Sequence, residues 1–194
     1  CPRVHEETWL VAAFMQMDGR YVITGRLGCP VCSASFAVEN GIADLRDHTS
    51  SSGKRRDTNY EGDESAIRLA AMLGLARPGL LIAISGEENA LAKEISDVGE
   101  AKVVALNPPD SLEDSERVAR VLSGARIPLA SSSLDGLVMT SNTDDVLDAA
   151  RLLKPGGRLV LKSRDSLPPQ FRELARDDEY VVAESSGPMI QLSR

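Results

Sequence analysis

Short apolar runs alternate with polar, turn-forming stretches along this chain, and the spacing of the runs changes once. Before residue 46 the runs are strand-like and close together. Trp9, Leu10, Val11 and Phe14 fall in the stretch 8–16, and Tyr21-Val-Ile-Thr24 is a second run beyond the pair Asp18-Gly19. Glycine accepts the positive φ of a tight turn, so the two runs predict a hairpin. The stretch 35–38, the turn Glu39-Asn40-Gly41 and the stretch 42–45 predict two further strands. Residues 47–62 have no apolar period and are rich in Ser, Gly and charge, which predicts an exposed linker.

From residue 63 strand and helix patterns alternate. Helices are expected over 64–76, 89–98, 111–122, 144–153 and 168–175. Strands are expected over 80–84, 102–106, 126–130, 136–140, 158–162, 180–183 and 189–192, the last two as an antiparallel edge hairpin. Such alternation implies an α/β fold: a Rossmann-like, seven-stranded, mostly parallel sheet over 63–194, preceded by a small β unit over 1–46. The stretch that organises it is Leu80-Leu-Ile-Ala-Ile-Ser-Gly-Glu-Glu-Asn89, an apolar strand, a break at Ser85-Gly86 and a helix start. In a βαβ unit a ligand sits beyond the strand's carboxyl end, against the following helix.

Composition narrows the function classes. Of 194 residues 42% are hydrophobic and only 4% aromatic, so the core must be built from Leu, Val, Ile and Ala. A net charge of −7 argues against broad nucleic-acid binding, and Lys54-Arg55-Arg56, the one basic cluster, reads as solvated linker. No apolar run approaches the roughly 20 residues of a membrane span and no signal segment is visible, which predicts a cytoplasmic protein. The start at Cys1 fits removal of an initiator Met or trimming; the metal motif below sets aside a lipoprotein.

Cys29-Pro30-Val31-Cys32 between strands has the spacing of a zinc knuckle, and no βαβ pattern surrounds it as a redox pair would require. Cys1-Pro2-Arg3-Val4 has the shape of a first knuckle, with Val4 where a second Cys would stand. His5 offers a fourth ligand, giving Cys1, His5, Cys29 and Cys32. The alternative is that metal binding has been lost and the hairpin core holds the unit alone.

Leu27-Gly-Cys-Pro-Val-Cys32 with Phe36-Ala-Val-Glu-Asn-Gly-Ile-Ala-Asp-Leu45 resembles the second knuckle and closing segment of the Trm112-like zinc-ribbon family. That resemblance implies a module that binds methyltransferases or is fused to one. Ile127-Pro-Leu-Ala-Ser-Ser-Ser-Leu-Asp-Gly-Leu-Val138 and Ala149-Ala-Arg-Leu-Leu-Lys-Pro-Gly-Gly-Arg-Leu-Val160 resemble the segments entering strands four and five of class I S-adenosylmethionine-dependent methyltransferases. In that family an acidic residue and a Gly-x-Gly-x-Gly turn follow strand one. Here Ala83, Ser85, Glu87 and Asn89 occupy those positions, with Gly86 displaced, and Asn107 stands where an acid usually holds the ribose. The resemblance places any cofactor contacts at Ser85, Gly86, Asn107, Ser131 and Thr140, with Glu87 and Glu88 intruding on the ligand.

Asn107-Pro-Pro-Asp110 looks like the Asn-Pro-Pro motif of amino-group methyltransferases but follows strand two rather than strand four, so it reads as a turn. Asp135, Asp144 and Asp145 would line a pocket, with Asp144 read first as a helix cap. Both histidines, His5 and His48, lie outside the α/β region, and no catalytic residue is assigned. The expected function is a non-catalytic methyltransferase-like scaffold or accessory subunit, acting on a protein partner or as a homo-oligomer, with zinc in the ribbon and S-adenosylmethionine doubtful. The alternatives are an active methyltransferase with a divergent cofactor loop and a module for another metabolite.

Overall fold

The computed structural model describes residues 1–46, 62–113, 115–124, 126–140, 143–162 and 167–187. The expected linker over 47–62, with Lys54, Arg55 and Arg56, therefore lies almost wholly outside the described residues, as does the expected strand over 189–192.

Residues 11–45 form a four-stranded meander: β1 (Val11–Asp18), β2 (Tyr21–Gly28), β3 (Ser35–Glu39) and β4 (Ile42–Asp44), each antiparallel to the next. Asp18 pairs with Tyr21 across a two-residue turn in which Gly19 has φ +56, the positive value the sequence required. After α1 (Gly62–Leu73) come β5 (Leu81–Ser85), a 3-10 turn over Glu87–Leu91, α2 (Ala92–Gly99), β6 (Lys102–Leu106), β7 (Val118–Leu122), β8 (Leu134–Thr140), α3 (Thr143–Leu152), β9 (Leu153–Lys162), β10 (Phe171–Arg176) and β11 (Val181–Ser185).

All eleven strands make one sheet, in the order β1-β2-β3-β4-β7-β6-β5-β8-β9-β11-β10. The run β4-β7-β6-β5-β8-β9 is parallel, and β11 is antiparallel to both β9 and β10. Seven strands, β5 to β11, thus form the mostly parallel α/β sheet. Its strand order reverses between β5 and β8, the topological switch point where open α/β sheets bind ligands.

Each face has its own core. Leu69 and Leu73 of α1 and Ile95 of α2 pack on Ile82, Ile84, Val103, Ala105, Val138 and Val160. On the other face Val146, Ala149 and Leu152 of α3 meet Ala83, Val104, Leu137, Met139, Leu159 and Leu161, and the same cluster continues into Cys29, Phe36 and Leu45. Residues on β5, β6 and β8 alternate between the two clusters, as strands covered on both sides must.

Three expected elements differ. The helix over 111–122 is instead a loop followed by β7, and the strand over 126–130 is irregular chain. Val118 and Val121 lie three apart, a spacing that fits one helix face or opposite strand faces. The open edge of β6 on one side and β4 on the other decides for the strand, and the two valines enter different cores. The helix over 168–175 is instead β10, with Phe171 buried and the next five residues exposed, and it forms the edge hairpin with β11.

Candidate functional site

The knuckle turn brings the four sequence-nominated ligands together. Cys29 donates its backbone N–H to Ala34 O (2.8 Å) and its carbonyl accepts from Ser33 N (3.0 Å); Ser33 takes φ +56 to close the turn. One ligand atom from each of Cys1, His5, Cys29 and Cys32 lies within 4.8 Å of the others. Cys1 Sγ is 3.8 Å from Cys32 Sγ, and Cys29 Sγ is 3.4 Å from His5 Nε2. A tetrahedral ion with metal–sulfur bonds of about 2.3 Å spaces its sulfurs about 3.8 Å apart and its sulfur–nitrogen edges about 3.6 Å apart. A disulfide would need about 2.05 Å. His5 Nδ1 lies 2.6 Å from Glu6 O. Donation to that carbonyl leaves the Nε2 lone pair facing the cluster, the usual support of a ligating imidazole.

Burial works to raise the Cys29 thiol, but hydrogen bonds outweigh it. The backbone N–H groups of Cys32 and Val31, then the Cys32 thiol, bring Cys29 down to about 7. The site therefore offers thiolate character before any ion arrives. Four protein ligands fill a tetrahedron and leave no position for substrate, so the chemistry available here is that of a closed, structural metal site.

The second candidate is the crevice at the carboxyl ends of β5, β6 and β8. Ser85 ends β5, and Gly86 follows with φ +94 and ψ −155. Asn107 follows β6 and Thr140 ends β8, so four of the five nominated residues share this end of the sheet. Ser131 does not. It precedes β8, whose seven residues put about 20 Å between the two ends of the strand. Its hydroxyl and N–H instead donate to Glu7 (2.6 and 2.8 Å), and these bonds hold the Glu7 carboxyl below its usual range. Asp135 is at that far end too, where it accepts from Leu81 N–H (2.9 Å) and Lys154 (2.8 Å). The side chains of Asp144 and Asp145 lie outside what is described, while α3 itself begins at Thr143.

Within the crevice the polar groups engage one another. Asn89, at the third expected glycine position, is buried, and its Nδ2 donates to Leu106 O at the end of β6 (2.7 Å). Asn107, with φ +52, donates to Ser123 Oγ (3.1 Å) and accepts from Ser123 N–H (2.9 Å), tying β6 to the end of β7. Glu88 was expected to intrude on a ligand; it is instead fully buried, accepting from the Tyr180 hydroxyl (3.2 Å). The physical reason is the 3-10 turn, which rotates Glu88 toward β11. Lys162 Nζ stands 3.7 Å from Glu88, 3.5 Å from Glu87 and 3.6 Å from Glu179. Among the described residues no donor reaches Glu88 Oε2 or Asn89 Oδ1. Tyr180, Lys162 and Ser123 were not legible as site residues, because each is brought in from a different strand end.

No family model matches the chain, and no curated protein matches it. Solved structures do. Phosphoethanolamine N-methyltransferase 2 of Haemonchus contortus aligns over 58% of this chain and 32% of its own, with 14% identity and a TM-score of 0.45. Geranyl diphosphate C-methyltransferase of Streptomyces coelicolor aligns over 55% and 49% (14%, 0.39), and the cyclopropane synthase of Mycobacterium tuberculosis over 50% and 41% (21%, 0.41). The aligned part spans half or less of each of these three. At these identities and TM-scores the likeness carries no argument, and function rests on the two sites.

Proposed function

We propose that this methyltransferase-like chain is a non-catalytic scaffold or accessory subunit that works through protein contacts, with one structural zinc ion holding its N-terminal unit. The observation that carries the reading is the turn after β5. Glu87 and Asn89 stand where the resemblance calls for the small residues that would let a cofactor approach the backbone, and Glu88 and Asn89 are folded inward as pins. Asn107 spends its amide on Ser123, leaving the ribose without the acceptor it would require. The residues of the crevice therefore do not fit S-adenosylmethionine, and no methyl transfer is derived through it.

The Cys1, His5, Cys29 and Cys32 set does fit zinc, by its sulfur spacing, its lowered Cys29 thiol and its oriented imidazole. The ion supplies folding free energy there rather than Lewis-acid chemistry, since all four positions are taken by protein. This supports a Trm112-like reading of residues 1–46, joined through β4 and β7 to the α/β region that follows. Calorimetric titration with S-adenosylmethionine and its demethylated product tests the crevice: no heat is expected at millimolar ligand, and micromolar binding overturns the non-catalytic reading in favour of an active enzyme with a divergent loop. Metal analysis tests the ribbon: one equivalent of zinc is expected, and less than about a tenth rejects the site.

A further inference from the structure

The two edges of the sheet are built differently. β10 carries Arg172, Glu173 and Arg176, charges of the kind that blunt an exposed edge. β1 carries none before its last residue, Asp18. From Trp9 to Met17 nine consecutive residues are uncharged, in a chain where 26% are charged. All eight residues of β1 are exposed, Met15 at 72%, and Trp9, two residues before the strand, is 81% exposed. Val11, Phe14 and Met17 add to the same patch. An open backbone edge flanked by large apolar side chains is a template for another strand.

We propose that β1 is the dimerisation edge of this protein, where a second copy pairs antiparallel, β1 against β1, about a two-fold axis. An isologous contact needs a patch complementary to itself, and β1 meets that condition in three ways. Its regular part runs from Val11 to Phe14, before the irregularity that leaves Met15 without a partner on β2. An axis through Ala12 sets Ala12 against its own copy and Val11 against Ala13 of the second copy, with Leu10 beside Phe14, each pair on one face of the joined sheet. No charge faces a charge within that ladder. Each copy carries a net charge of −7, so approach elsewhere works against like charge, whereas this edge is neutral. Phe14 is already braced, because its ring lies over Gly25 of β2, where any Cβ would collide with it and with Ala13 O.

Edge pairing covers only the part of Trp9, Val11, Phe14 and Met15 that faces the second copy, less than the roughly 1,200 Å² of standard stable interfaces, so the contact belongs to the weak, concentration-dependent class. The contact closes on itself and leaves no further β1 edge, so the expected product is a dimer and no longer fibre. The inference rests on this edge alone and is independent of whether the crevice binds S-adenosylmethionine.

Sedimentation velocity of the zinc-loaded full chain between about 1 and 200 µM is expected to show a monomer–dimer equilibrium with micromolar dissociation constant. Trp9 is the single tryptophan of the chain, so its emission should shift to the blue across the same range. Val11→Lys and Ala13→Lys should leave circular dichroism and melting unchanged while keeping the protein monomeric. Hydrogen exchange of the unsubstituted protein should show new protection confined to the amides of residues 11–14 as concentration rises. A monomer at 200 µM overturns the proposal, as does a dimer that persists in both lysine variants or protection that appears elsewhere. The crevice titration shares none of these readouts, so either reading can fail without the other.

Discussion

Gly86 stands at the point where β5 must turn into the 3-10 helix, with a φ of +94 that side chains rarely adopt. A Cβ there would overlap the Thr140 hydroxyl and approach Glu88 Oε2 to 3.2 Å. Gly86→Ala should therefore destabilise the fold by more than about 1 kcal/mol, read by chemical denaturation. Adding Thr140→Ala should recover the steric part of the loss and leave the conformational part. Full recovery would mean that the positive φ costs nothing here. Asp177 is a second residue with a measurable role. Its Oδ1 accepts from the N–H of Tyr180 (2.7 Å) and Glu179 (2.8 Å), and Arg68 pairs with Oδ2 at 2.7 Å. The two backbone bonds, then Arg68, lower its pKa from 3.8 to about 2. A depressed folded-state pKa contributes stability above the unfolded value and loses it as pH falls. Asp177→Ala should cost about 1 kcal/mol at pH 7, and the gap from the parent should close between about pH 4 and pH 2. A gap that stays constant to pH 2 would exclude the carboxylate as its source.

At the scale of elements, the strands with continuous apolar runs, β5, β6, β8 and β9, fall where their pattern puts them, because a strand covered on both faces can be little else at that length. The edge elements are where pattern reading fails. Val118, Val121 and Leu122 satisfy a helix and a strand equally, and what decides is the pair of neighbours that β6 and β4 present. β7 then carries a residue whose importance no spacing announces. Arg120 donates to Asn40 O (2.6 Å) and the Tyr21 hydroxyl (3.1 Å) on one side and to Leu112 O (3.3 Å) on the other, joining the N-terminal meander to the α/β sheet. Arg120→Ala should cost about 1–3 kcal/mol and raise hydrogen exchange in β3 and β4 more than in β5 or β6. Arg120→Lys should rescue little, since a single ammonium cannot reach three acceptors set apart in this way. Equal exchange across all strands would show that the seam between β4 and β7 does not depend on this side chain.

For the whole molecule, the single sheet means that the Cys/His cluster and the strand ends of β5, β6 and β8 belong to one packed body. Cys29, Phe36 and Leu45 share a core cluster with Ala83, Leu137 and Leu159. Chelation of the zinc-loaded protein should lower the melting temperature, with β1 to β4 losing exchange protection first and the central strands β5, β6 and β8 later, because the latter are held by two cores. Uniform loss of protection would mean that the sheet unfolds as one unit. Among the described residues no helix is long and apolar enough to cross a membrane.

Much of this was already present in the order of residues. The apolar runs determined the α/β class and the central strands, since burial on both faces needs uninterrupted apolar sequence, whereas the switch point between β5 and β8 is set by the strand order of the folded sheet. The Cys-x-x-Cys spacing, with Cys1 and His5, pointed to the four residues that the fold brings within 4.8 Å of one another, since two thiolates at one turn can share one ion. Tertiary structure decided the rest. It made residues 118–122 a strand by offering two open neighbours, and it sent Ser131 to the wrong end of β8. It also turned Glu88 and Asn89 from intruders facing a ligand into buried pins, because a side chain's direction in a 3-10 turn depends on which strand ends converge around it.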